Sequence, residues 1–140
     1  MNLMWKGCGH GCIQLWNNAG ISGNMESRIL ESENKDFKRV LDVNVFGAFL
    51  GAKHAARVMI PAKKGSILFT SSIASVMGSD VPHSYVASKH AVVGMTRNLS
   101  VDLGQYGIRV NCVSPFSAVT PMLRKVNSYA KKSYGDDGEK

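Results

Sequence analysis

Gly65-Ser-Ile-Leu-Phe-Thr-Ser-Ser72 is the stretch on which the fold turns. Its centre, Ile67-Leu68-Phe69, is apolar without interruption, and such strands belong to parallel sheets covered on both faces. Upstream, the apolar series Phe37, Val40, Leu41, Val45, Phe46, Phe49, Leu50 keeps to steps of three and four. It continues through Ala52, Ala55, Ala56 and Met59. The spacing predicts one long helix starting near Ser32, whose hydroxyl caps the first turn, with Glu33 and Asp36 at the positive end. Pro61 is expected to stop that helix. Earlier still, Cys12-Ile-Gln-Leu-Trp16 alternates apolar and polar residues, as a short strand does. It runs into Asn17-Asn18-Ala19-Gly20, small residues that let the backbone turn, and then into a polar loop over residues 21–32.

Downstream of Ser72 the pattern repeats. A loop over residues 73–82 leads to a second helix from about residue 84 to 104, with Ala91, Met95, Leu99 and Leu103 on one side. Gly107 precedes a third strand, Ile-Arg-Val-Asn-Cys-Val over residues 108–113, which Pro115 ends. The order β-α-β-α-β implies an α/β fold, a Rossmann-like parallel sheet with right-handed crossover helices. Ligands of such sheets bind beyond the carboxyl ends of the strands. Those ends are residues 17–20, 71–72 and 114–120, all rich in Ser, Asn, Thr or Gly. Residues 1–11 show no periodicity and read as an irregular segment, residues 12–122 as one domain, and residues 123–140 as a polar, basic tail.

Composition narrows the function classes. With 44% apolar and 19% charged residues in 140, the chain is too apolar for disorder and long enough for a core. No apolar run is long enough for a membrane helix, and no secretory signal opens the chain, so a soluble, cytoplasmic protein with no membrane partner is expected. The net charge of +7 invites nucleic acid. However, Lys53, Arg57, Lys63 and Lys64 gather around one helix end, and no stacking pattern interleaves the basic runs apart from Tyr129 and Tyr134. No nucleic-acid partner is expected. Cys8, Cys12 and Cys112 are too few for a disulfide framework. Cys8-Gly-His10-Gly-Cys12 offers soft ligands, but no second cluster completes a zinc set, and no metal is expected.

Tyr85 and Lys89 fall one helical turn apart, on one face. A phenol is a poor base near neutrality, since its ordinary pKa is about 10, and an adjacent ammonium stabilises the phenolate. Such a pair exchanges a proton with an alcohol or ketone. It stands at the start of the second helix, at the sheet edge where a ligand belongs. A hydroxyl from Ser72 can bond the same substrate oxygen, whereas Ser71 points the other way because strand side chains alternate. Asn44 sits mid-helix among Val43, Val45 and Phe46, and a buried amide there needs partners.

Asn17-Asn18-Ala19-Gly20, Ser71-Ser72, Tyr85-Val-Ala-Ser-Lys89 and Asn111-Cys-Val-Ser-Pro115 together resemble the successive motifs of the short-chain dehydrogenase/reductase family, and residues 115–122 are similar to its plant secoisolariciresinol dehydrogenase-like group. The resemblance implies hydride transfer between a nicotinamide cofactor and a secondary alcohol. NAD is the implied cofactor, with NADP left open. It implies Tyr85 as acid/base and Lys89 as the cation that assists it and holds the ribose. Ser72 would orient the reacting oxygen, and Asn44 would hold a water in a proton relay. It places Asn17, Ala19 and Gly20 against the cofactor, and Pro115 and Thr120 beside the nicotinamide. His83 and Met77 would line the pocket of a small hydrophobic alcohol or ketone. Against the family pattern, the first β-α-β half, with its glycine-rich turn, and the last strand are not represented, which implies truncation at both ends. The two long helices would then form a homo-oligomer interface. A non-catalytic chain that associates with a full-length relative is the alternative.

Overall fold

The computed structural model describes the backbone of residues 3–8 and 12, and residues 13–78, 80–116 and 124 in full. Among the described residues, four strands form one sheet in the order β1-β2-β3-β4: β1 is Leu3–Cys8, β2 Cys12–Asn17, β3 Gly65–Thr70 and β4 Ile108–Val113. β2, β3 and β4 are parallel, with Leu15 opposite Ile67 and Ile67 opposite Val110. β1 was expected to be irregular. It instead pairs antiparallel with β2, from Leu3 opposite Asn17 to Cys8 opposite Cys12. The ladder uses backbone groups that any residue carries, so strand formation on an open edge needs no side-chain alternation.

The first long helix starts at Asn34, not at Ser32, whose hydroxyl donates back to the Arg28 carbonyl at 3.0 Å. It is not uniform. α1 (Asn34–Leu41) passes through a π-turn, Asp42–Phe46, into α2 (Gly47–Ala62). Pro61 lies inside the last turn, where its missing N–H costs one intrahelical bond, and the helix ends at Lys63 in the left-handed conformation. The buried positions are Asp36, Val40, Asn44, Ala48, Ala52, Ala55 and Met59, while Phe37, Phe46 and Phe49 face outward.

α3 spans His83–Gly104. Its buried side is Ser84, Ser88, Lys89, Val92, Thr96 and Leu103, whereas Ala91 is exposed. Of the expected apolar stripe, Leu103 is in the core and Met95 and Leu99 pack against it, but four of the six buried residues are polar and gave no apolar signal. Leu15, Ile67, Phe69, Ile108 and Val110 on one face of the sheet meet Ala48, Ala52, Ala55 and Met59 of α2 and Val92 and Leu103 of α3. Among the described residues, no helix is long and apolar enough to cross a membrane. The packing leaves the carboxyl ends of β2, β3 and β4 at one edge, beside the first turn of α3.

Candidate active site

The end of β3 grips Lys89 at both of its ends. The Thr70 carbonyl accepts from Lys89 Nζ at 2.9 Å, and the Ser71 hydroxyl donates to the Lys89 carbonyl at 3.1 Å. Ser71 is itself fixed to β4 through its N–H, which donates to the Val113 carbonyl at 2.8 Å. Ser71 is thus a buried scaffold residue. Ser72 then caps a 3-10 turn, Ile73–Ser75, its oxygen accepting from the Ala74 N–H at 3.3 Å. Ser75 Oγ donates to the Ser72 carbonyl at 2.6 Å. A hydroxyl used as an acceptor keeps its proton to donate.

Tyr85 stands in the first turn of α3, where the Pro82 carbonyl accepts from its N–H at 3.0 Å. That end of a helix favours negative charge. Lys89 Nζ lies 5.5 Å from the centre of the Tyr85 ring. The side chain is only 5% exposed, and burial pulls its pKa down from 10.5 to about 8. Near neutrality it therefore remains mostly an ammonium. One of its three N–H groups is used on Thr70, which leaves two for a ligand.

Asn44 occupies the π-turn at 2% exposure. Its Oδ1 accepts from the Ile21 N–H at 2.8 Å, and its Nδ2 donates to the Ile21 carbonyl at 2.9 Å and to Ser88 Oγ at 3.0 Å. The partners this amide requires are thus all protein groups. Gly20 completes the wall: a Cβ there would stand 3.4 Å from Asn44 Oδ1 and 3.5 Å from Lys89 Nζ. Asn44, Tyr85, Lys89 and Gly20 are brought together, with Ser72 just past the strand end that holds Lys89.

The remaining expected residues divide. Asn17 is buried, and its amide donates to the Ala48 carbonyl at 2.9 Å, which ties β2 to α2. Ala19 is half-buried. Pro115 is exposed, and its carbonyl accepts from the Ile73 N–H at 3.0 Å, joining the loops after β3 and β4. Thr120 and the loop residues 117–119 lie outside the described residues, as do His10 and the tail beyond Arg124. Met77 and His83 are exposed, and His83 borders a cleft with Glu26, Glu31, Glu33 and Asp36.

Sequence reasoning missed two supports. Ser88 was legible within the Tyr85–Lys89 turn, one turn beyond Tyr85, but a serine there carries no periodic signal. Asp36 was read only as a helix-end charge. It also accepts from the Asn24 N–H at 2.8 Å and from Arg39 Nε at 3.2 Å, pinning the loop after Gly23.

The chain is similar to known proteins over most of its length. The family model described as Enoyl-(Acyl carrier protein) reductase matches residues 11–137. Short chain aldehyde dehydrogenase 1 of Euphorbia lathyris is 63% identical over 109 residues, covering 78% of this chain and 38% of that protein. Secoisolariciresinol dehydrogenase of Forsythia intermedia is 56% identical over 111 residues, covering 79% of this chain and 40% of that protein. The chain thus spans about two fifths of the length of these relatives. Among solved structures, levodione reductase superposes with a TM-score of 0.79 at 34% identity, over 87% of this chain and 46% of that one. An NAD+-bound xylitol dehydrogenase gives 0.77 at 38% identity, over 84% and 46%. ElxO with NADP bound gives 0.76 at 32%, over 86% and 48%. With its motifs in order, its parallel sheet and a family model covering most of its length, the chain belongs to the short-chain dehydrogenase/reductase family.

Proposed function

We propose that this chain catalyses hydride transfer between a nicotinamide cofactor and a small hydrophobic secondary alcohol or ketone. The observation that carries the reading is the buried Lys89 ammonium, held on the Thr70 carbonyl and set against Tyr85 in the first turn of α3. A buried ammonium beside a phenol at the carboxyl edge of the sheet is the pairing that proton exchange with an alcohol calls for. In the oxidative direction the substrate oxygen lies between the Tyr85 and Ser72 hydroxyls. Tyr85 takes the alcohol proton as the C–H hydride departs. Ser72 donates to the oxygen as its charge changes, a role suited to a hydroxyl fixed by its own turn.

When bound, the nicotinamide ring supplies the hydride acceptor. The residues present fit the ribose end of such a group. The two remaining N–H groups of Lys89 and the Tyr85 hydroxyl suit vicinal ribose hydroxyls, and the bare backbone at Gly20 admits close approach. Asn17, Ala19 and Pro115 belong to the same reading as the surrounding wall. Asn44 would join a proton relay through the second lone pair of Oδ1, because both of its N–H protons already have protein acceptors. NAD is favoured and NADP is the alternative; relatives with each are known by name, the xylitol dehydrogenase with NAD+ and ElxO with NADP.

The test is turnover of a panel of secondary alcohols, followed as reduced cofactor, with Tyr85→Phe alongside. Tyr85→Phe should lower kcat by at least about a thousandfold while cofactor affinity changes less than about twofold, since proton transfer and not binding is removed. Retained turnover in that variant would refute the assignment. A second reading, association with a full-length relative without catalysis, is favoured by one feature. Phe46, at the end of the π-turn, and Phe49 of α2 stack at 6.4 Å, both exposed.

A further inference from the structure

Ser88 has no exposure to solvent and lies between Tyr85 and Lys89 on α3. Its hydroxyl has one proton, and that proton goes to the Tyr85 carbonyl at 2.7 Å. Toward Asn44 the oxygen can then only accept, and it does so from Nδ2 at 3.0 Å. The other Nδ2 proton goes to the Ile21 carbonyl, and Oδ1 accepts from the Ile21 N–H. A chain of bonds thus runs from the Tyr85 carbonyl through Ser88 and Asn44 to Ile21. It joins the first turns of α3, the π-turn and the loop leaving β2. Gly20, next to Ile21, faces both Asn44 Oδ1 and Lys89 Nζ.

Two other helical hydroxyls show what an unassisted serine or threonine does. Thr96 Oγ1 donates to the Val92 carbonyl at 2.8 Å, and Ser100 Oγ to the Arg97 carbonyl at 2.7 Å. Both follow the common local back-bonding of such residues. Ser88 does the same and also receives a bond from a different element. Without its hydroxyl, one buried N–H of Asn44 has no acceptor. Turning the carboxamide to find one would break both bonds to Ile21.

We propose that Ser88 is a positioning residue of the site: by accepting from Asn44 it holds that carboxamide against Ile21 and so fixes the Gly20 wall opposite Lys89. The geometry stands by itself, and only the turnover readout rests on the oxidoreductase reading. The experiment compares Ser88→Ala with the control Thr96→Val, which removes a back-bond of similar burial that leads nowhere. Hydrogen exchange by NMR should be about tenfold faster at the Ile21 amide and the Asn44 carboxamide in Ser88→Ala, and unchanged in Thr96→Val. In turnover, Ser88→Ala should raise the cofactor KM by about tenfold with kcat altered less than about threefold, the reverse of the Tyr85→Phe pattern. Unchanged exchange at Ile21 in Ser88→Ala, or equal acceleration in Thr96→Val, would overturn the proposal. If the wild-type chain binds no nicotinamide cofactor, the oxidoreductase reading fails while the exchange comparison still decides the role of Ser88.

Discussion

At the residue scale, Lys89 carries the most consequence. An ammonium in the interior is disfavoured against the same group in an unfolded chain, and here burial lowers its pKa from 10.5 to about 8. Below pH 8 both folded and unfolded chains hold the proton, and the folded chain bears the full burial cost. Between about 8 and 10.5 the folded chain has released it while the unfolded chain keeps it, so stability rises with pH through that window. The gain is on the order of 3 kcal/mol across it. Urea unfolding of Lys89→Met should lack this rise. A wild-type profile that is flat from pH 8 upward, or a variant with the same slope, would contradict the assignment of burial to Lys89. The residue was legible in the sequence as a partner for Tyr85. Its anchor was not, because the Thr70 carbonyl is a backbone group that no side-chain pattern announces.

At the scale of elements, the loop leaving β2 is shaped by Gly23, whose φ is +77°. A Cβ there would sit 2.5 Å from Asp36 Oδ2 and 2.7 Å from Val40 Cγ2, and the left-handed backbone is costly for any other residue. Gly23→Ala should therefore lose about 2–4 kcal/mol in chemical unfolding, with the cost falling on the Asp36–Asn24 clamp. A loss within about 0.5 kcal/mol would show that the loop relaxes freely. The three parallel strands and both crossover helices could be read from periodicity, since each buries one apolar face. The π-turn could not. The apolar steps of three and four run through Asp42–Phe46 without a break, and only the inward position of Asn44 marks the extra residue. The edge strand Leu3–Cys8 escaped for a related reason, being held through backbone pairing with β2.

At the scale of the whole molecule, the sheet is buried by α2 and α3 on one face, while the π-turn and the outer side of α2 present Phe46 and Phe49, with Lys53 Nζ 5.9 Å above the Phe49 ring. This exposed aromatic patch is where the expected contact between copies of the chain would form. Sedimentation of the chain with Phe46→Ser and Phe49→Ser combined should show self-association weakened by at least about tenfold. An unchanged oligomer distribution would remove α2 from the interface. The Tyr85–Lys89 pair, Asn44 and Gly20 lie together at the carboxyl edge of the sheet, with Ser72 just past the end of β3, and the proposed function requires the chain to hold a nicotinamide cofactor. Titration calorimetry of the purified chain with NADH and NADPH tests this most directly. Saturable binding of at least one of them, with a Kd below about a millimolar and weakened about tenfold or more by Lys89→Ala, is the predicted result. No detectable binding of either at millimolar concentration would contradict the account.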